Sequence, residues 1–312
     1  KALDIDINLS EAHFNLGYIY SIIGDFNRAE AATRKAIHIN PSFSIAYEQL
    51  GDILSKTSRS NEAELYLLKS IKICPNNAIT YSNLSNIQKK LGKLNEAENS
   101  ARKALIINPN LAAAYCNLGN ILKELGDLHE AEISTLMAIK LDPKLIEATW
   151  NFYGFSKTIE EAKERIKKCL LIDSNHLKSK LTLCALNLHC GDLKLFNELC
   201  STIYSDHPYM RTFKWINTLN SRPELFFNRW DFFDRMVKKS IKNRPFYEYG
   251  VWRGVSFRYL IKFFQKGFGF DTFSGLPEDW HNDLKGSYSA DNNIPKIDGG
   301  IFIKGNLYEF QW

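Results

Sequence analysis

The stretch from residue 110 to residue 143, NLAAAYCNLGNILKELGDLHEAEISTLMAIKLDP, decides the fold. It closes on Pro143, and prolines stand 34 residues apart at Pro41, Pro75, Pro109 and Pro143. Its Leu118 repeats Leu16, Leu50 and Leu84, and its Ala131 repeats Ala29, Ala63 and Ala97. Its Gly119 repeats Gly17 and Gly51, with Ser85 standing in once. In-register units of this size are supersecondary pieces that bury a shared core only by stacking on one another. The glycine and alanine slots have a packing reason, since neighbouring helices approach where side chains are smallest.

Outward from this run, Lys1 and Ala2 align with Lys35 and Ala36, so the chain is expected to begin inside the second helix of a repeat. Beyond Pro143 the pattern loosens. Residues 147–157 and 159–172 read as a shortened helix pair, and 177–204 as another, with Gly191-Asp192 at its turn and Pro208 in the closing position. Degenerate end units of this kind act as caps. Residues 1–208 are therefore expected to form a repeat superhelix. Residues 209–245 are expected to form a helical connector whose Phe213, Trp215, Phe226, Phe227, Trp230, Phe232 and Phe233 make an apolar seam between two domains. Residues 246–312 change texture, with short strands at 246–251, 267–271 and 301–304 and a helix at 255–265 linking the first two as a parallel βαβ unit requires.

Composition narrows the function classes. The 312 residues are 45% hydrophobic and 24% charged, which suits about two soluble domains. The net charge of +5 is dispersed along helical faces, so no nucleic-acid footprint is read. No apolar stretch is long enough to span a membrane and residues 1–8 are too polar for a secretion signal, which leaves a cytoplasmic location as the expectation. Cys74, Cys116, Cys169, Cys184, Cys190 and Cys200 form no CxxC pair and are read as packing thiols. His189 beside Cys190 lacks zinc-site spacing, and no metal site is assigned.

A 34-residue unit with Leu-Gly in its first half, Ala in its second and a closing Pro resembles the tetratricopeptide repeat, which implies two antiparallel helices per unit and an α-α superhelical solenoid. The first helix of each unit then turns a stripe to the concave side: Glu11, Asn15, Tyr18 and Ile22; Ile45, Gln49, Asp52 and Lys56; Ile79, Asn83, Asn86 and Lys90; Ala113, Asn117, Asn120 and Glu124. A carboxamide donates and accepts, which suits holding an extended peptide backbone without reading its sequence. The series resembles the asparagine ladder of O-linked N-acetylglucosamine transferases; it equally fits asparagine being common before Leu-Gly in such repeats. The stripe lacks the Lys/Arg set that would clamp a terminal carboxylate.

Phe246-Tyr247-Glu248-Tyr249-Gly250-Val251-Trp252-Arg253-Gly254-Val255-Ser256 reads as a strand, a glycine turn and a helix start, the layout of a nucleotide-type cofactor site. Gly250 allows close backbone approach, the helix beginning at Gly254 favours an anionic group, and Asp271 ends the second strand where an acid can accept from ribose hydroxyls. Trp252 occupies the middle-glycine place and excludes a GxGxxG dinucleotide fingerprint. The runs EYGVWRGVSFRYL, GFDTFSGLPEDW and KGSYS resemble the start of a class I S-adenosylmethionine-dependent methyltransferase, nearest the macrocin O-methyltransferase (TylF-type) sugar methyltransferases, over residues 244–312.

That resemblance implies a Rossmann-like sheet, of which three parallel strands are present. It implies that Glu248, Gly250 and Gly254 line the methionine end of S-adenosylmethionine, with Trp252 in the turn, Ser256 supporting it, Asp271 holding the ribose, and Thr272 or Phe273 beside the adenine. It also implies methyl transfer to a hydroxyl. The rest of such a sheet, with a general base, any divalent metal ligands and most of the acceptor pocket, would lie beyond Trp312, so the piece is expected to bind partners without turning over. The segment 276–280 is a candidate cover; Asp279, His281 and Asp283 are given no role. The alternative is a pure interaction protein whose α/β tail is a non-catalytic remnant; a glycosyltransferase is disfavoured because the segment after the repeats carries the wrong motif.

Overall fold

Each 34-residue unit folds as two helices because its apolar positions recur at helical spacing on either side of a left-handed turn residue. In the computed structural model the pairs are α1 (Ser10–Ile22) with α2 (Phe26–Ile39), α3 (Ser44–Lys56) with α4 (Ser60–Ile73), α5 (Ala78–Lys90) with α6 (Leu94–Ile107), and α7 (Ala112–Leu125) with α8 (Leu128–Leu141). The turn slot holds Gly24, Gly92 and Gly126 at φ +82°, +69° and +91°, while Ser58 takes it at +61°. The structure describes residues 9–241, 243–274, 289–290 and 292–305. It divides into two units, Lys1–Leu225 and Phe226–Trp312.

In the first unit Ala29, Ala63, Ala97 and Ala131 are all fully buried, as are Leu50 and Ile53; Leu84 and Leu118 are nearly so, and Leu16 only half-buried. A Cβ built on Gly17 would lie 2.4 Å from Thr33 Oγ1, and one on Gly119 2.5 Å from Thr135 Oγ1. The glycine slot is thus where the two helices of a repeat touch. Where Ser85 replaces the glycine, the facing slot shrinks to Ala101. Charged side chains link repeats on the surface: Arg59 reaches Glu30 of the preceding unit at 2.7 Å and Arg102 reaches Glu130 of the next at 2.8 Å, while Glu62 and Glu98 pair with the same arginines locally at 2.6 and 2.8 Å.

The loosened units follow as α9 (Ile146–Asn151), a 3-10 turn at Phe152–Phe155, α10 (Ile159–Ile172), α11 (Leu177–His189), α12 (Lys194–Cys200) and α13 (Pro208–Ile216). The aromatic residues of the connector fall in both units. Met210 and Phe213 of α13 pack on Leu181, Cys184, Leu188, Phe196 and Leu199 inside the first unit, while Trp230 and Phe233 of α14 (Arg229–Lys239) pack on Tyr259 inside the second. Tyr259 Oη also donates to Asp234, and burial, with that carboxylate, pushes the phenol up to about 12.

The second unit continues with β1 (Phe246–Tyr249), α15 (Val255–Leu260), β2 (Gly267–Asp271) and β3 (Gly300–Lys304). All pairings are parallel and the order is β1-β2-β3, with Phe246 opposite Gly267 and Gly267 opposite Gly300. Phe257 of α15 is fully buried, its ring 4.7 Å from those of Phe246 and Phe302. The molecule is thus mainly α, a tetratricopeptide-type solenoid followed by a small three-stranded parallel sheet. α15 ends at Leu260, five residues before the expected 265. The segment 276–280 with Asp279, His281 and Asp283 lies outside the described residues.

Candidate functional site

The first-helix stripe is held in register by a clasp that recurs from repeat to repeat. Asn83 Nδ2 donates to Glu48 Oε1 at 3.4 Å, Asn117 Nδ2 donates to the Ser82 carbonyl at 2.9 Å and to Ser82 Oγ at 3.1 Å, and Asn151 Nδ2 reaches Cys116 Sγ at 3.9 Å. Each contact spans 35 residues, joining equivalent first helices of neighbouring units. Gln49 sits in the same slot, but the residue one unit back is Phe14, which offers no acceptor. Its Oε1 accepts from Thr33 Oγ1 at 3.2 Å and its buried Nε2 has no partner.

This geometry divides the expected groove residues. Asn83 Nδ2 makes one such contact, at 3.4 Å, and Asn117 Nδ2 makes two, at 2.9 and 3.1 Å. Asn86 and Asn120 are half-buried on the same stripe; Asn120 Nδ2 makes only a long contact with Cys116 Sγ on its own helix, 3.9 Å. Asn15 and Tyr18 are exposed, and Asp52 pairs with Lys56 at 2.7 Å. Ile45 and Ile79, each about half exposed, add apolar surface beside the amides. The clasp partners Glu48 and Ser82 were missed by reading one helix at a time; the signal was a polar residue immediately before the amide slot of the preceding unit.

The second candidate is the turn after β1. Gly250 has φ +81°, its N–H donates to the Phe270 carbonyl at 2.8 Å, and a Cβ there would meet nothing within 4 Å. Trp252 and Gly254 are also left-handed, at +50° and +75°. Glu248 Oε1 accepts from Ser256 Oγ, whereas the buried Oε2 has no partner. Burial pushes the Glu248 carboxyl above its usual range and nearby Asp271 adds to this; the Ser256 bond and Arg229 oppose it.

Asp271, expected at the ribose, has Oδ2 accepting from the Trp252 N–H and Oδ1 from the Phe273 N–H, both at 2.7 Å. Phe273 does not border an open adenine site: it is fully buried with Val251, Phe257 and Ala290, because its left-handed backbone turns the ring into the core. Thr272 stays half-buried at the strand end. The turn fits the methionine end of a methyl donor on one concrete ground, an orphaned carboxylate oxygen beside an unobstructed glycine backbone, which suits an ammonium. α15 has six residues, too short for its N-terminus alone to make an anion site.

Elsewhere, burial pushes the Cys116 and Cys184 thiols up to about 11, as inert packing thiols require. Among the described residues no group of His, Cys, Asp and Glu is arranged to hold a metal, and no helix is long and apolar enough to cross a membrane.

Family models of the tetratricopeptide repeat match residues 10–43, 45–77, 66–99 and 101–133, and these matches end at residue 133. No curated protein sequence matches the chain. Among solved structures it is similar to pilF of Pseudomonas aeruginosa, at 17% identity and TM-score 0.56 over 66% of this chain and 96% of that one. PilW, a type IV pilus biogenesis factor, gives 17% and 0.58 over 65% and 97%; the APC/C hetero-tetramer Cut9-Hcn1 gives 15% and 0.63 over 70% and 44%. Identities this low carry the fold alone.

Proposed function

We propose, for a chain whose residues 10–43, 45–99 and 101–133 match models of the tetratricopeptide repeat, a protein-interaction scaffold joined to the opening half of an S-adenosylmethionine site of the sugar O-methyltransferase kind. The scaffold reading is supported by the amide and apolar stripe of α1, α3, α5 and α7, which suits an extended protein or peptide segment. Asn83 and Asn117 present acceptors to backbone N–H groups of that segment, while Ile45 and Ile79 take its apolar side chains. A peptide-array screen tests it. Asn83→Ala/Asn117→Ala is expected to lose most of the wild-type signal across unrelated sequences, since a backbone contact is sequence-blind. An unchanged array would remove the stripe from the binding surface.

The observation that carries the cofactor reading is Glu248 Oε2, buried and without a partner beside Gly250. In this reading Glu248, with Ser256 fixing its other oxygen, orients the ammonium of the methionine end; the Gly250–Gly254 backbone borders that end and the terminus of β2 borders the adenosine. When bound, S-adenosylmethionine supplies a methyl group on a sulfonium for transfer to a hydroxyl, a reaction favoured by positioning and exclusion of water. Titration calorimetry of the chain with S-adenosylmethionine is expected to give saturable one-to-one heat. No heat would favour the alternative, an interaction protein whose α/β tail has no cofactor duty.

A further inference from the structure

Asp271 is the last residue of β2, and its two carboxylate oxygens hold two different turns. Oδ2 accepts the N–H of Trp252, in the turn after β1, and Oδ1 accepts the N–H of Phe273, in the turn after β2, each at 2.7 Å. Both donors are non-glycine residues in the left-handed region, at φ +50° and +55°. A bulky aromatic residue keeps that conformation only when its surroundings over-determine it. The two are tied further: Trp252 Nε1 donates to the Ser289 carbonyl at 3.2 Å, and the Phe273 carbonyl accepts from Ala290 and Asn292 N–H groups at 3.1 and 3.0 Å. One carboxyl side chain therefore sits at the node joining the β1 turn, the β2 turn and residues 289, 290 and 292.

We propose that Asp271 is a positioning residue, a carboxylate strap that holds Trp252 and Phe273 left-handed and so sets the shape of the Gly250–Gly254 turn. Its effect on a ligand of that turn is transmitted through the Trp252 backbone, with no direct contact needed. Only this last step rests on the cofactor reading; the strap stands without it. An amide cannot replace the carboxylate here. Asparagine keeps one acceptor and turns the other atom into a donor facing an N–H, so Asp271→Asn can hold one turn at most.

A double-mutant cycle on the full chain tests the strap. Asp271→Asn is expected to speed amide hydrogen exchange at Trp252 or Phe273 by about tenfold or more. With S-adenosylmethionine as probe, it should weaken binding about tenfold in the wild-type background but less than about threefold with Trp252→Gly, because glycine takes the left-handed conformation unaided. Equal weakening in both backgrounds would mean direct contact and overturn the proposal. If the wild type binds no S-adenosylmethionine, the cofactor reading falls while the exchange measurement still decides the strap. Should Asp271→Asn not fold, wild-type exchange decides instead: both amides are expected to be strongly protected, and free exchange at either defeats the idea.

Discussion

Replacing Gly119 by alanine is expected to destabilise the repeat array by about 1–3 kcal/mol, and adding Thr135→Ala to recover most of that loss. The added methyl would stand 2.5 Å from Thr135 Oγ1 and 3.1 Å from the Ala131 carbonyl, at the point where α7 and α8 touch. Thr135 cannot swing aside freely, since its hydroxyl already donates to the Ala131 carbonyl at 2.8 Å and the residue is almost completely buried. The chain contains its own control, because the unit with Ser85 in the glycine slot has Ala101 in the facing slot. Repeat arrays transmit such damage only to neighbouring units, so the loss should appear as a lower denaturant midpoint with a broadened transition. A single mutant as stable as the wild type, or a double mutant no better than the single, would show that the slot tolerates bulk and that the Ser85/Ala101 pairing is coincidental.

How much of this was legible in the sequence follows from what each position depends on. The 34-residue period, the glycine and alanine slots and the helix pairs through α8 are fixed by contacts that every unit repeats, so four copies average out local noise. The compensation at Ser85 was visible only by comparing slots 16 residues apart, across the two helices of one unit. Asn117 could be placed on a face but not assigned a partner, because Ser82 belongs to another helix and neither residue announces the other. Phe273 shows the same limit more sharply. An aromatic after a strand-end acid reads alike whether it faces a ligand or the core, and the choice is made by Val251, Phe257 and Ala290 around it. Helical spacing likewise identifies an apolar face without saying which core it joins, and Met210 and Trp230 join different ones.

Glu248→Gln is expected to stabilise the second unit at neutral pH and, on the cofactor reading, to weaken S-adenosylmethionine binding about 10- to 150-fold, the range for losing one charge-assisted hydrogen bond. Both effects come from the buried oxygen that has no partner. Burial raises the Glu248 carboxyl, so the folded state holds its proton more tightly than the unfolded chain does. Its contribution to stability is therefore complete below the ordinary glutamate value of about 4.3 and is lost as pH climbs through the raised folded value. Glutamine carries no such proton. The stability of the variant relative to wild type should grow as pH rises from about 4 and level off once Glu248 is ionised in both states, a profile measured by denaturation at a series of pH values. The binding loss has its own control in 5′-methylthioadenosine, which keeps the adenosine and lacks the amino-acid end. If Glu248 meets the ammonium, the variant should bind that compound as wild type does and S-adenosylmethionine much more weakly. Parallel losses for both compounds would move Glu248 away from the methionine end, and a flat pH difference would mean that its carboxyl is not perturbed by folding.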